Sequence, residues 1–423
     1  MGSMGGHDGA LRVAVIGAGI VGTSCAFFLQ RDGHAVTLID PLEPGAGTSS
    51  GNAGVISLGS CLPVGTSAVL RQVPAMLRDP LSPLSLRWRH LVTLAPWLWR
   101  FVLASRPGRI EALSRAIVAL VREADRAHDI VIQRCGLGGL VRTGGWLKVA
   151  RDARRFEAAT AAEREALERH GLEFEVLDRA AVHALEPALA PDVAHGLLLP
   201  RNRAVRHPER YVQGIARTFV EQGGVHLRAR ALDLAWNGGR AAGVRTEAGE
   251  VAADRVVLAA GAFSKRLARS AGIRLPLEAE RGYHVMLPHP EPTLRRPVYP
   301  IEGGFVLAPM EHGIRLTGGV ELASVDAAAD WRRIRALVPR ARALLPGLGE
   351  EILSEWLGFR PSLPDSLPVI GPAPGRAGLY FAFGHQHIGL TLGPLTGRLI
   401  ADLVAGRDPG LDLAPYAPDR RFW

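Results

Sequence analysis

Residues 11–40 read LRVAVIGAGIVGTSCAFFLQRDGHAVTLID. The apolar run 13–16 stops at Gly17, and glycines stand at 17, 19 and 22, the G-x-G-x-x-G spacing. An apolar helical stretch follows over 23–29, then a second apolar run over 35–39 that ends in Asp40. The pattern is strand, tight turn, helix, strand, acid. Gly17 permits the turn, Gly19 lets a pyrophosphate reach the backbone, and Gly22 lets helix and strand approach. Ile20 and Val21, the x-x of the motif, bring free N–H groups and the positive dipole end of the helix to the phosphates. Asp40 can accept from an adenosine ribose. The glycines alone also occur in ordinary turns. With both strands and Asp40 in place they specify a dinucleotide site, without saying which dinucleotide.

At 423 residues the chain is long enough for about two domains. All but two of its 50 Lys and Arg residues are arginine, and the formal charge is +9. These cations are scattered, as in RDARR (151–155) and WRRIR (331–335), without interleaved stacking aromatics, so nucleic acid is not expected as a partner. Attraction to an anionic surface or substrate stays open. Cys25, Cys61 and Cys135 have no metal spacing and make an odd count, so neither a metal site nor a disulfide framework is expected. The leader MGSMGGHDGA is set aside as a processing or tag segment. No apolar run reaches the length of a membrane span.

After Asp40, PLEPGAGTSSGNAGVIS (41–57) is a small-residue loop whose hydroxyls and amide suit a polar ligand; a plain surface loop is the alternative. Residues 84–104, LSLRWRHLVTLAPWLWRFVLA, are apolar and Trp-rich, and Pro96 is expected to interrupt them. They read first as a helix pair over the core and second, with Arg87, Arg89, His90 and Arg100 among Trp88, Trp97 and Trp99, as a membrane interface. Residues 109–134 and 151–170 read as long helices. HPERYVQGIARTFVEQGGVHLRAR (207–230) reads as a capped helix, a Gly-Gly stop and a strand. The strand at 255–261 returns the chain to the nucleotide sheet, and 276–320 reads as a separate antiparallel sheet. LYFAFGHQHIGLTLGPLTGRLIADLVAG (379–406) is a strand, a glycine-rich loop and a helix over 391–405.

The opening unit, TSSGNAG (48–54), VVLAAGAFS (256–264), GFRPSLPDSLPVIG (358–371) and GHQHIGLTLGP (384–394) occur in this order. Together they resemble the FAD-dependent D-amino-acid oxidase and dehydrogenase superfamily, which also holds glycine and sarcosine oxidases. TSSGNAG and LPDSLPVIG are most similar to its bacterial D-amino-acid dehydrogenases; RGYHVM (281–286) and GHQHIGLT are similar to the D-hydroxyproline dehydrogenases among them. The resemblance implies an α/β fold. A Rossmann-like FAD-binding domain would be assembled from 11–83, 205–275 and 355–423. The inserted substrate domain, α+β on a mainly antiparallel sheet, would take a helical part from 84–204 and its sheet from 276–354.

The resemblance also implies FAD as cofactor and assigns its contacts. Thr48, Ser49, Gly51, Asn52 and Gly54 would lie near the pyrophosphate, ribityl chain and flavin. Ala231 would place its backbone at the adenine, although valine is more usual there, and Gly261 would pass beneath the ADP. Ile388, Gly389, Leu390 and Thr391 would meet the isoalloxazine, where the helix dipole would stabilise charge gained on reduction. In the family's GFRP segment the arginine binds the substrate carboxylate, which falls to Arg360, whose fork gives two parallel hydrogen bonds. Tyr283 would donate to that carboxylate or cover the flavin; a packed core tyrosine is the other reading. His387 would offer its carbonyl to the substrate amine and narrow the pocket with its imidazole, while His385 would stabilise the loop.

The expected reaction is oxidative deamination of a D-amino acid, D-proline and hydroxy-D-proline among the candidates, by hydride transfer from Cα to flavin N5. Electrons would pass to a quinone or other respiratory acceptor from a cytoplasmic enzyme, with 84–104 as the segment for peripheral contact on the inner face of a bacterial membrane. No carboxylate in the matched loops stands out as a base, which leaves water or a histidine. Some relatives attach flavin through a C-terminal cysteine; none follows Cys135, so that linkage is excluded. Two rivals are a glycine- or sarcosine-type oxidase making hydrogen peroxide, and a flavin-binding assembly protein without turnover.

Overall fold

The computed structural model describes residues 9–78, 82, 84–87 and 90–422. Residues 1–8 of the leader, and Trp88 and Arg89 of the Trp-rich segment, lie outside the described residues. A six-stranded sheet runs in the order Val225–Arg228, Ala35–Asp40, Arg12–Ile16, Arg255–Leu258, Leu379–Phe383, Val369–Pro372. The first five strands are mutually parallel and the last is antiparallel. Parallel strands are buried on both faces, which explains the unbroken apolar runs of their sequences.

The helix Ile20–Arg31 follows the first strand, and the last helix, Gly389–Val404, lies against it. Their contact is closer than side chains allow. A Cβ on Gly393 would sit 2.7 Å from Ile20 Cγ1, and one on Gly397 would sit 2.6 Å from the Ser24 carbonyl. Two helix N-termini are thereby held in a single layer by small residues some 370 positions from the first glycine motif.

The second domain is a nine-stranded sheet, mostly antiparallel, reached from both ends of the chain. It contains Glu278–Leu287, Val298–Pro300, Phe305–Met310 and Gly313–Leu322, as expected for the 276–320 region. It also takes Ser354–Ser362 as its edge strand, in regular register with Glu278–Leu287. The boundary expected at 355 therefore moves: the chain rejoins the first sheet only at Val369. The apolar alternation of 354–362 suits either sheet, and only pairing decides between them.

Residues 84–204 are not a helical lobe. Trp146–Ala150, Glu175–Leu177 and His195–Leu199 pair into the nine-stranded sheet. The helix Pro107–Arg134 instead packs in the core of the first domain, with Leu113, Ile117 and Leu120 in one cluster with Phe27 and Leu395. Nor does Pro96 break its segment. One helix, Leu91–Ala104, runs through it, because Pro96 lies on the exposed side where the carbonyl of Val92, deprived of its donor, meets water.

Candidate active site

The turn after the first strand is built as its glycines require. Gly17 has φ +107° and donates to the Ile39 carbonyl at 2.8 Å. A Cβ there would lie 2.5 Å from the Ala259 carbonyl oxygen, so the 259–261 turn that carries Gly261 packs directly on it. A Cβ on Gly22 would fall 1.8 Å from Gly17 O, which confirms the close approach that spacing predicts. Gly19 caps the helix without a side chain; Ser49 reaches in from the 41–57 loop and accepts from Ile20 N at 3.0 Å. Asp40 ends its strand with Oδ2 accepting from Ala18 N and Oδ1 from Leu42 N, both at 2.8 Å. Each oxygen keeps a second lone pair for a ribose hydroxyl. The carbonyl of Asp40 accepts from Ala229 N, two residues before Ala231, whose own carbonyl accepts from Arg266 at 2.9 Å.

The TSSGNAG loop holds its own shape. Asn52 donates to the Ser49 carbonyl at 2.6 Å and accepts from Gly54 N at 2.7 Å, while Thr48 Oγ1 bonds the backbone of Phe359. Three side chains of the second domain clamp it. Arg315, half-buried, gives one nitrogen to the carbonyls of Ser50 and Asn52 at 2.7 and 2.6 Å. His284 bonds the Gly51 carbonyl at 3.1 Å and stacks on Trp356, whose ring occupies the space a Cβ on Gly51 would need. No sequence signal assigns any of the three to this loop, although His284 lies within RGYHVM. Only strand pairing brings them to the loop.

At the far end, Gly389–Val404 begins without a side-chain cap on Ile388, leaving its first N–H groups without an intrahelical partner. Buried His128, from Pro107–Arg134, braces this turn: Nε2 bonds the carbonyls of Leu390 and Thr391, both at 3.1 Å, and Nδ1 meets Tyr211 Oη at 2.9 Å. Thr391 Oγ1 accepts from Ser57 N at 2.8 Å, tying the turn to the end of the 41–57 loop. His385 Nε2 meets Thr396 Oγ1 of the last helix at 2.9 Å, which ties the loop to that helix. At each end a helix begins on a residue whose own side chain does not cap it, and helix N-termini of this kind suit the phosphates of an extended dinucleotide.

Beside the second N-terminus stands a polar cluster. Arg360 and Glu280 are cross-strand partners. Arg360 is half-buried, lies on the bare backbone of Gly282, and bonds the Gly319 carbonyl at 3.1 Å. Among the described residues it forms no ion pair. Burial pulls its pKa down, and the charge of Glu280 opposes that. Glu280 is buried, accepting from Ser362 Oγ at 2.6 Å and bonding His387 Nε2 at 3.2 Å. Gln386, at φ +46°, is pinned by bonds to Ser362 Oγ and the Leu363 carbonyl, a left-handed non-glycine held beside the exposed His387.

Tyr283 does not join this group, which corrects its expected role. Glu280, Gly282 and His284 face the first domain, and period-two alternation turns Tyr283 to the other face. There it is buried, donates to Glu321 at 2.5 Å and packs edge-on against Trp331; burial raises its pKa to about 12.

Burial lowers His128 to about 4 and His284 and His385 to about 3, from 6.5. These groups stay neutral when folded but take protons when unfolded. Their contribution is complete above pH 6.5 and is lost as pH falls from 6.5 towards 3–4. Each costs on the order of 3 to 5 kcal/mol at the acid end. Urea unfolding of the apoprotein at pH 7, 6 and 5 is expected to show stability falling over that window; a flat profile would contradict the buried, neutral placement.

Residues 12–403 match the family model DAO, FAD dependent oxidoreductase. The chain is 36% identical over 416 residues to a D-amino-acid oxidase of Bradyrhizobium diazoefficiens, covering 97% of this chain and 98% of that protein. It is 32% identical to a D-amino acid dehydrogenase of Paramagnetospirillum magneticum, at 97% and 99% coverage. The glycine oxidase structure from Geobacillus kaustophilus superposes with TM-score 0.70 at 26% identity, covering 97% of this chain and 99% of that one.

Proposed function

Because the chain belongs to the DAO family of FAD dependent oxidoreductases, we propose that this enzyme oxidises the Cα–N bond of a D-amino acid. One observation carries the reading: a half-buried Arg360 without an ion pair among the described residues, set between the 384–394 loop and the nine-stranded sheet. A guanidinium so placed calls for an anion, and its fork suits a carboxylate. The names of the two curated relatives supply the D-amino acid as that anion.

FAD, when bound, supplies the hydride acceptor. The chain's part is to hold the substrate. Arg360 fixes the carboxylate, and the backbone at Gln386–His387 faces the amine. Gly282 leaves room for the guanidinium, since a Cβ there would lie 2.4 Å from Arg360 Cζ. Thr48, bonded to Phe359 on both its N–H and its carbonyl, ties the pyrophosphate loop to the strand that carries Arg360. Substrate and cofactor ends are thus set by one edge strand, and proximity of this kind supplies much of an enzyme's acceleration.

Anaerobic flavin reduction by a panel of D-proline, hydroxy-D-prolines, D-alanine, D-arginine, glycine and sarcosine tests the substrate. D-amino acids are expected to bleach the flavin; reduction by glycine and sarcosine alone would replace the reading. The acceptor we propose is a membrane quinone. From Thr66 to Ile110 the sequence has one acidic residue, Asp79, against seven arginines. The helix Ser67–Arg78 has no buried residue, and Val92, Trp99 and Val102 are exposed on Leu91–Ala104. No helix among the described residues is long and apolar enough to cross a membrane, so the contact would be peripheral. The protein is expected to sediment with vesicles of anionic lipid but not of neutral lipid. Val92→Ser with Trp99→Ser is expected to cut binding at least about tenfold. The name of the Bradyrhizobium relative favours a second reading in which oxygen is the acceptor. Stoichiometric peroxide, with oxygen reoxidising the enzyme as fast as it turns over, would establish it.

A further inference from the structure

The geometry points to Glu280 and His387 as a coupled pair in which Glu280 orients His387 to take a proton from the substrate ammonium. This rests on the amino-acid reading of the site. The argument begins with hydrogen-bond capacity. Glu280 is buried among donors: Ser362 Oγ on one oxygen at 2.6 Å, His387 on the other at 3.2 Å. Burial pushes its carboxyl up. The hydrogen bond and charge of His387, the Ser362 hydroxyl and the charge of Arg360 outweigh it and leave the group below its ordinary range. An ionised carboxylate only accepts, so His387 Nε2 must carry the hydrogen. In the neutral ring Nδ1 then holds the lone pair, and no group among the described residues bonds Nδ1.

The pair is held from behind. Gln386 donates to Ser362 Oγ at 3.0 Å and to the Leu363 carbonyl at 2.6 Å, and Trp97 Nε1 donates to the Ser362 carbonyl at 3.3 Å. His387 is exposed, although Glu280 beneath it is buried, so the ring spans from a fixed anion to the open side of the site. Arg360 is the other charged group facing the pair, from the adjacent strand; His385 on the same loop is kept neutral by burial. A zwitterion whose carboxylate lies on Arg360 would bring its ammonium to the His387 side.

The step is an acid–base transfer. An N–H bond of the ammonium breaks, an Nδ1–H bond forms, and the nitrogen regains the lone pair that must become the C=N bond. The imidazolium is stabilised by Glu280 and later returns its proton to water. Glu280 is a positioning residue, since it acts through His387.

Glu280→Gln keeps a hydrogen-bond acceptor for Nε2 and removes the charge. Without the anion a proton taken up by the ring loses its charge partner, so the acid limb of the kcat profile is expected to move down by about one pH unit. The plateau rate should fall about tenfold while KM for the amino acid changes less than threefold. His387→Asn should abolish the limb, and Glu280→Gln in that background should have no further effect on it. A readout apart from turnover is proton exchange with the buffer: calorimetry of a non-oxidisable amino-carboxylate binding in buffers of different ionisation heat. Wild type should bind without net exchange, because the ammonium proton stays on His387, whereas His387→Asn should release that proton to the buffer. If the flavin is reduced normally but the acid limb stays put in Glu280→Gln, the pairing is overturned and the substrate reading stands. If no amino acid reduces the flavin in wild type, the substrate reading fails first.

Discussion

Arg360→Ala is expected to lower kcat/KM for the amino-acid substrate about 10³-fold, the consequence of removing one partner of a desolvated charged pair worth 2–5 kcal/mol. Two features set this size. The guanidinium is half-buried and has no ion pair among the described residues, so a substrate carboxylate would be its charge partner. The variant also leaves Glu280 without the nearby cation that helps keep it ionised, which strips the pocket of positive charge while an anion must enter. Arg360→Lys should recover only about tenfold, because an ammonium restores charge but not the two-pronged alignment. FAD content should stay at the wild-type level in both. A specificity constant within a few-fold of wild type for Arg360→Ala would remove the carboxylate assignment.

Gly22→Ala is expected to yield protein purified largely without FAD, with affinity down at least about 100-fold, the equivalent of 2.8 kcal/mol. The added methyl would stand 1.8 Å from Gly17 O, and neither atom can yield, since Gly17 is pinned to Ile39 and pressed on Ala259. The turn itself must move, and overpacking of a tight core costs stability as well. Gly19→Ala separates the two effects. Its Cβ would meet only Ser49 Oγ, at 3.2 Å, so the apoprotein should melt close to wild type. The same methyl projects where a pyrophosphate must approach, so FAD retention should still be lost. The absorbance ratio of flavin to protein, with thermal unfolding of each apoprotein, reads both outcomes. Full FAD occupancy in Gly22→Ala would refute the close-packing role of that glycine.

Much of the molecule was legible in the chain because its signals are local. The glycines at 17, 19 and 22, the acid at 40 and the strand-loop-helix at 379–404 each announce a backbone conformation or an exposed helix end. Arg360 was reachable through a motif that the family shares. His128, His284, Arg315 and Glu280 were not. Each is a single polar residue within an otherwise ordinary helix or strand, and its hydrogen-bond partners lie between 82 and 265 positions away. Tyr283 was misplaced for the complementary reason. Its neighbours in sequence do reach the site, and a strand sends alternate residues to opposite faces.

The sequence by itself determined the strand, glycine turn, helix and acid of Gly17–Asp40 and a second helix N-terminus near residue 389, because glycine spacing and helix ends act over a few residues of backbone. Tertiary structure alone decided that these two ends share one layer, through Gly393 and Gly397 against Ile20 and Ser24. It also decided that Ser354–Ser362 serves the substrate sheet and that a buried carboxylate lies between Arg360 and His387. Those outcomes depend on strand register and on how near two backbones can come, which are settled only when distant segments compete for the same partner.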